Sequence, residues 1–125
     1  MASELHKAFE KLIDKTCYNT IYNAVSAYID DNYRRLDLAE RSNFIEEVQE
    51  ASLDDLQILR ISNIEQDDDI VKFDVIVNCE IVIEETVRRD RQVDSASQWF
   101  TVSCSAILDD VLKNFKIDAI DIYNR

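Results

Sequence analysis

From Ile70 to Val87 the chain alternates. Val71, Phe73, Val75, Val77, Cys79, Ile81 and Ile83 fall on one side of an extended backbone, and Lys72, Asp74, Ile76, Asn78, Glu80, Val82 and Glu84 on the other. Strand side chains point to opposite faces with period two, so a run this long buries its apolar side only in a sheet with one dry and one wet face. Such a sheet is antiparallel. The period returns from Gln98 to Leu108, with Phe100, Val102, Cys104, Ala106 and Leu108 on one face and Trp99, Thr101, Ser103 and Ser105 on the other. Leu53 to Ile64 and Phe115 to Tyr123 complete four predicted strands, with one helical turn expected over Asp109 to Asn114.

The N-terminal part obeys a different period. Between Ser3 and Tyr33 the apolar residues Leu5, Ala8, Phe9, Leu12, Ile13, Ile21, Ala24, Val25, Tyr28 and Ile29 recur at three and four, the stripe of an amphipathic helix. Ser3 suits its N-cap, and Thr16 to Thr20 is weaker helix where a bend is expected. Phe44, Ile45 and Val48 should pin the connector that follows, which includes a short helix from Ser42. The expected architecture is one α+β domain over residues 1–125, with 1–35 helical, 36–52 a connector and 53–125 the sheet. It is a four-stranded antiparallel β-sheet with the long N-terminal helix packed on its apolar face.

The chain has no Gly and no Pro, where average usage gives about nine and about six. Positive φ angles are therefore expected on Asn or Asp, at Asn63, Asp67-Asp68-Asp69, Asp94-Ser95, Asp109-Asp110 and Asn114. Gly-rich phosphate loops and the dinucleotide fingerprint are excluded.

Little supports catalysis. His6 is the only histidine and sits in the first turn of a terminal helix, so a Ser-His-Asp, Cys-His or zinc arrangement has one solvated residue to rest on. Cys17, Cys79 and Cys104 are odd in number and widely spaced, which reads as buried small hydrophobes rather than a disulfide frame. Asp54-Asp55, Asp67-Asp68-Asp69, Asp109-Asp110 and the pair Asp118 and Asp121 are the carboxylates an acid/base or divalent-metal site would need. Neighbouring acids on a strand diverge to opposite faces, and a calcium loop needs a glycine turn. No enzyme activity, cofactor or metal is expected.

Charge points to a partner. Residues 36–85 hold fifteen acids against Arg41, Arg60 and Lys72, which accounts for the formal net charge of −12, while the flanking segments are near neutral. A solvated face that keeps a small protein soluble is one reading. Confinement to one stretch favours another, in which Glu46, Glu47, Glu50, Asp54, Asp55, Glu65, Asp67, Asp68 and Asp69 occupy a basic groove that otherwise holds nucleic acid. Arg88, Arg89 and Arg91, at a hairpin tip, are candidates for an acidic patch or an RNA backbone. Trp99, on the outer face, is a candidate interface anchor. The first and fourth strands are sheet edges, and Ile117, Ile120, Ile122 and Tyr123 do little to discourage pairing with a second copy. Met1 to Lys7 lacks the apolar core of a signal peptide and no long apolar run follows, so a cytoplasmic protein without membrane contact is expected.

Two resemblances follow. Gln98-Trp99-Phe100-Thr101-Val102-Ser103-Cys104, Ile107-Leu108-Asp109-Asp110 and Phe115-Lys116-Ile117 to Tyr123 resemble a module of Firmicutes mobile elements that precedes ImmA/IrrE-type peptidases. The His-Glu-x-x-His of those peptidases is absent, so the resemblance carries no protease activity. In size, acidity and style the whole chain resembles anti-CRISPR proteins that inhibit type II Cas9 systems. That implies an inhibitor in the bacterial host that binds Cas9 or its guide RNA complex and keeps nucleic acid out. The alternative is a non-catalytic regulatory or adaptor module of a mobile element, acting as a homodimer.

Overall fold

The structure is a computed structural model, and it describes residues 15–36, 38–42, 45–109 and 111–123. The predicted helix start at Ser3 with His6, and also Phe44 and Asp110, lie outside the described residues. The order of elements is helix α1 (Lys15–Asn32), 3-10 turns at Tyr33–Arg35 and Leu38–Arg41, then strands β1 (Glu50–Asp67), β2 (Ile70–Val87), β3 (Asp90–Asp109) and β4 (Val111–Ile122). The strands form one antiparallel sheet in the order β1-β2-β3-β4. This is an α+β protein with a meander sheet, as the two periods require.

The dry face of the sheet carries the core. Val71, Val75, Val77, Cys79, Ile81, Ile83, Phe100 and Val102 are wholly buried, and Cys17, Ile21, Val25 and Ile29 of α1 belong to the same cluster. Those four are spaced by four, so one helix stripe reaches the core. The bend expected over Thr16 to Thr20 is absent, since α1 runs unbroken from Lys15 to Asn32. Burial of Cys17 within that stretch and of Ile21 directly after it outweighs its weak propensity. The connector is pinned as expected by Ile45 and Val48, but its short helix is the 3-10 turn Leu38–Arg41, which ends where the predicted one begins. Ser42 instead accepts a hydrogen bond from the Ile45 amide at 3.0 Å and donates to Asp94 Oδ2 at 2.7 Å.

That contact explains why Asp94-Ser95 is not a turn. Both residues lie in β3, opposite Ile83 and Val82, and the Asp94 carboxylate serves the connector and the Ser95 amide. β3 accordingly begins at Asp90, eight residues before its predicted start, because an eighteen-residue β2 turning in two residues must be met from Asp90 onward. β4 likewise starts at Val111, which pairs with Asp109, so Val111 to Asn114 is strand where a helical turn over Asp109 to Asn114 was expected. β1 extends three residues beyond its predicted ends on both sides. Its register slips between Leu53 and Asp55, between Ile58 and Arg60 and between Ser62 and Glu65. The first two slips let Leu53, Leu56, Ile58 and Ile61 all face inward despite spacings of three, and each bulge takes up one residue.

Positive φ falls on Asn63, Asp68 and Asn114 as expected, and also on Arg88 (52°) and Arg89 (75°). Two left-handed residues in a two-residue hairpin loop give the φ pattern of a type I′ turn, for which Asn-Gly is best suited. Arginine has a Cβ that resists this region, so Arg88→Asn with Arg89→Gly should stabilise the fold by about 1 kcal/mol. The urea midpoint of the double variant, compared with the parent, checks it.

Candidate functional site

The nine acids singled out by charge do not form one block. Glu46 and Glu47 are exposed in the connector, and Glu50 opens β1 opposite Glu84. Asp54 sits at the first bulge and Asp55 opposite Glu80. Glu65 lies opposite Lys72, Asp67 closes β1, and Asp68-Asp69 make the β1–β2 turn. An extended strand separates what is adjacent in sequence: at about 3.3 Å per residue, the Glu50 and Asp67 ends stand roughly 50 Å apart. Arg60 interrupts the stripe between them.

The two ends differ in character. Near Glu50, the Glu84 carboxylate accepts from Arg91 in an ion pair that holds Glu84 below and Arg91 above their usual ranges. Glu85 there is buried and takes the Glu46 amide at 3.1 Å. Arg88-Arg89 form the adjoining β2–β3 turn, so all three arginines lie at this end of the sheet, where Arg91 is paired with Glu84. At the far end Glu65, Asp67, Asp68 and Asp69 are all exposed, and none has an ion-pair partner among the described residues. The β1–β2 hairpin thus presents a compact run of exposed carboxylates, with Lys72 opposite Glu65 as the nearest cation in register.

Trp99 is half-buried on the wet face and stacks on Tyr123 with ring centroids 5.9 Å apart. The Arg60 guanidinium donates to the Tyr123 hydroxyl at 2.9 Å and lies 5.9 Å from its ring centroid. Trp99, Tyr123 and Arg60 thus come from β3, the end of β4 and β1 to make a platform that position in the sequence did not reveal. Ile76, the apolar residue of the wet face opposite Arg60, is buried alongside.

Three tyrosines of the helical segment were also missed as a group. Tyr18 donates to the Leu56 carbonyl at 2.7 Å, Tyr22 to that of Leu53 at 3.2 Å, and Tyr33 to that of Gln49 at 2.8 Å. The spacing of four places Tyr18 and Tyr22 on one face of α1, and Tyr33 follows in the first 3-10 turn. They occupy carbonyls along the first half of β1, so that edge is partly closed and β4 is left as the more open one.

The cysteines are free and buried. Burial pushes the Cys17 thiol up to about 11 and, with the Asp55 and Glu80 charges nearby, Cys79 up to about 12; burial also raises Cys104. The ordinary thiol value is 9.0, so between there and about 12 the folded chain holds protons that the unfolded chain releases. Stability is then full below pH 9.0 and falls as pH rises through that window. A denaturation midpoint that drops on the alkaline side, together with thiols inert to a disulfide reagent until the chain unfolds, is the expected result.

Among the described residues no three His, Cys, Asp or Glu side chains are grouped to hold a metal ion. No helix among them is long and apolar enough to cross a membrane. No known protein family, curated protein or solved structure matches the chain.

Proposed function

We propose that this protein acts by binding, as an anti-CRISPR-type inhibitor of a type II system. Its acidic β1–β2 hairpin enters a basic groove of Cas9 or of the Cas9–guide complex and excludes nucleic acid. The observation that carries this reading is the cluster Glu65, Asp67, Asp68 and Asp69, exposed and unpaired at the tip of a hairpin continuous with a four-stranded sheet. Carboxylates that are not satisfied internally and sit on a stiff support can meet Lys and Arg side chains without reorganising. The field near Glu50 contributes less, because Arg88, Arg89 and Arg91 oppose it.

The test mixes the protein with purified Cas9, with and without guide RNA, and follows complex formation and DNA cleavage over a salt series. Inhibition that weakens steeply with salt is expected of electrostatic competition. Unchanged cleavage and no complex across several Cas9 orthologues would sink the reading.

A second reading, the homodimeric adaptor of a mobile element, is favoured by β4. Its charges are arranged about Ile117 so that an antiparallel second copy centred there sets Lys113 against Asp121 and Lys116 against Asp118. With β1 partly closed by tyrosines, β4 is the edge that a second copy would use. Sedimentation showing a dimer that neither binds Cas9 nor inhibits its cleavage would select this reading over the first.

A further inference from the structure

The wet face carries a groove that acidity does not explain. It has a volume of about 890 Å³ and lies at the β1–β2 hairpin end of the sheet. Glu65, Lys72, Ser105 and Lys116 cross it in one row, one residue from each strand, in direct cross-strand register. Ser105 is 5% exposed, and its Oγ is buried with no hydrogen-bond partner. Elsewhere on the sheet a wet-face serine is satisfied: Ser97 donates to Glu80. The floor of the groove therefore holds an unspent donor, flanked in cross-strand register by two side chains that bear ammonium groups, Lys72 and Lys116, in a chain of net charge −12.

Those ammonium groups are available. Lys72 is exposed and has no ion pair among the described residues, and the Lys116–Asp118 pair is long at 3.9 Å and largely solvated. Neighbouring strands are about 4.8 Å apart, so lysine stems from β2 and β4 both reach over Ser105 on β3. Three donors converging from three directions suit the three terminal oxygens of a phosphate monoester better than the two of a carboxylate. The rest of the groove opposes a bare anion. Glu65, Asp74 and Asp118 line it as acceptors, and Asp74 is fixed by the Asn63 side-chain amide at 2.8 Å. They need hydroxyl donors facing them. Ile70 and Ile107, opposite each other on β2 and β3, offer apolar contact for a carbon skeleton.

We propose that this groove binds a sugar phosphate. The phosphate sits over Ser105 between Lys72 and Lys116, and the sugar hydroxyls donate to Glu65 and Asp74. The site shares Glu65 with the proposed Cas9-binding hairpin but does not rest on that reading, and the test leaves Cas9 out.

The full chain is titrated with ribose 5-phosphate, inorganic phosphate and ribose in parallel, with affinity read by calorimetry and location by amide NMR shifts. Saturable binding of ribose 5-phosphate is expected, with shifts centred on Ser105, Lys72 and Lys116 and with both fragments weaker. Ser105→Ala should weaken it about tenfold through loss of one charge-assisted hydrogen bond, in a protein that folds at least as well because a buried unsatisfied hydroxyl is gone. Lys72→Gln with Lys116→Gln, two solvent-reaching changes whose fold is checked by circular dichroism, should abolish binding. The proposal is overturned by no saturable binding up to about 10 mM, by inorganic phosphate binding as well as the ester, or by unchanged affinity in the folded double-lysine variant.

Discussion

Phe100→Ala should lose about 3–5 kcal/mol, the largest single effect expected on stability. Phe100 is wholly buried, stands opposite Val77 on β2 and Ile122 on β4, and meets the ring of Tyr28 from α1 edge to face with centroids 5.7 Å apart. The position joins three elements. Its truncation removes a large apolar side chain from the centre of the sheet and leaves a cavity that rigid flanking strands cannot close. Against a total of about 5–15 kcal/mol for a domain of ordinary stability, that is from about a fifth to the whole of it. Phe100→Leu, which keeps most of the volume, should cost less than about 1.5 kcal/mol. Urea unfolding followed by the fluorescence of Trp99 measures both, since Trp99 is the only tryptophan and stacks on Tyr123 at the sheet edge. A double-mutant cycle with Tyr28→Ala isolates the ring contact, for which about 0.5–1.5 kcal/mol is expected. A cycle that shows no coupling would mean that α1 is not seated over Phe100.

How much of this was legible in the sequence follows from which forces act locally. The bounds of β2 could be read directly, because every inward residue from Val71 to Ile83 is apolar and the turns at either end interrupt the pattern. The first half of β3 could not be read that way. Asp90 to Ser97 is polar and poor in strand formers, and it is extended only because β2 and a two-residue turn hold it there. Reading the hairpin outward from Val87 would have found it. In β1 the three-residue spacings of Leu53 to Leu56 and Ile58 to Ile61 break a strict alternation. In a strand, that irregularity is itself the signal for the bulges that occur there. Left-handed φ on Arg88 and Arg89 had no such signal, since ladder pairing on both sides imposes a conformation those residues do not favour.

The candidate site was legible as chemistry but not as place. Counting charge along the chain finds the acids and misses that β1 carries them to opposite ends of the sheet. It also reads Arg88, Arg89 and Arg91 as open to a partner when Arg91 in fact pairs with Glu84 across the strands. The groove at Lys72, Ser105 and Lys116 is invisible in sequence for the same reason. Its three donors are spread over more than forty residues and meet only through register.

Reversing the hairpin charge is the prediction with the largest expected effect on function. Asp67→Lys and Asp69→Lys each move the formal charge by two units, and Asp68→Asn moves it by one, so the variant carries −7 in place of −12. Asparagine is chosen at position 68 because φ is 56° there, a value that Asn tolerates and Lys resists. All three residues are exposed, so stability should stay within about 0.5 kcal/mol of the parent. If the hairpin enters a basic groove, each reversed acid turns attraction into repulsion inside a site of low dielectric. Inhibition of Cas9 cleavage should then weaken at least about 100-fold, with a shallower dependence on salt. The matched control, Glu46→Lys with Glu47→Lys, changes charge at the other end of the sheet, where arginines already offset the field, and should weaken inhibition far less. Equal loss from both variants would show that net charge alone drives binding. Loss from the control only would move the interface to the β2–β3 end. Either result removes the hairpin from the role assigned to it.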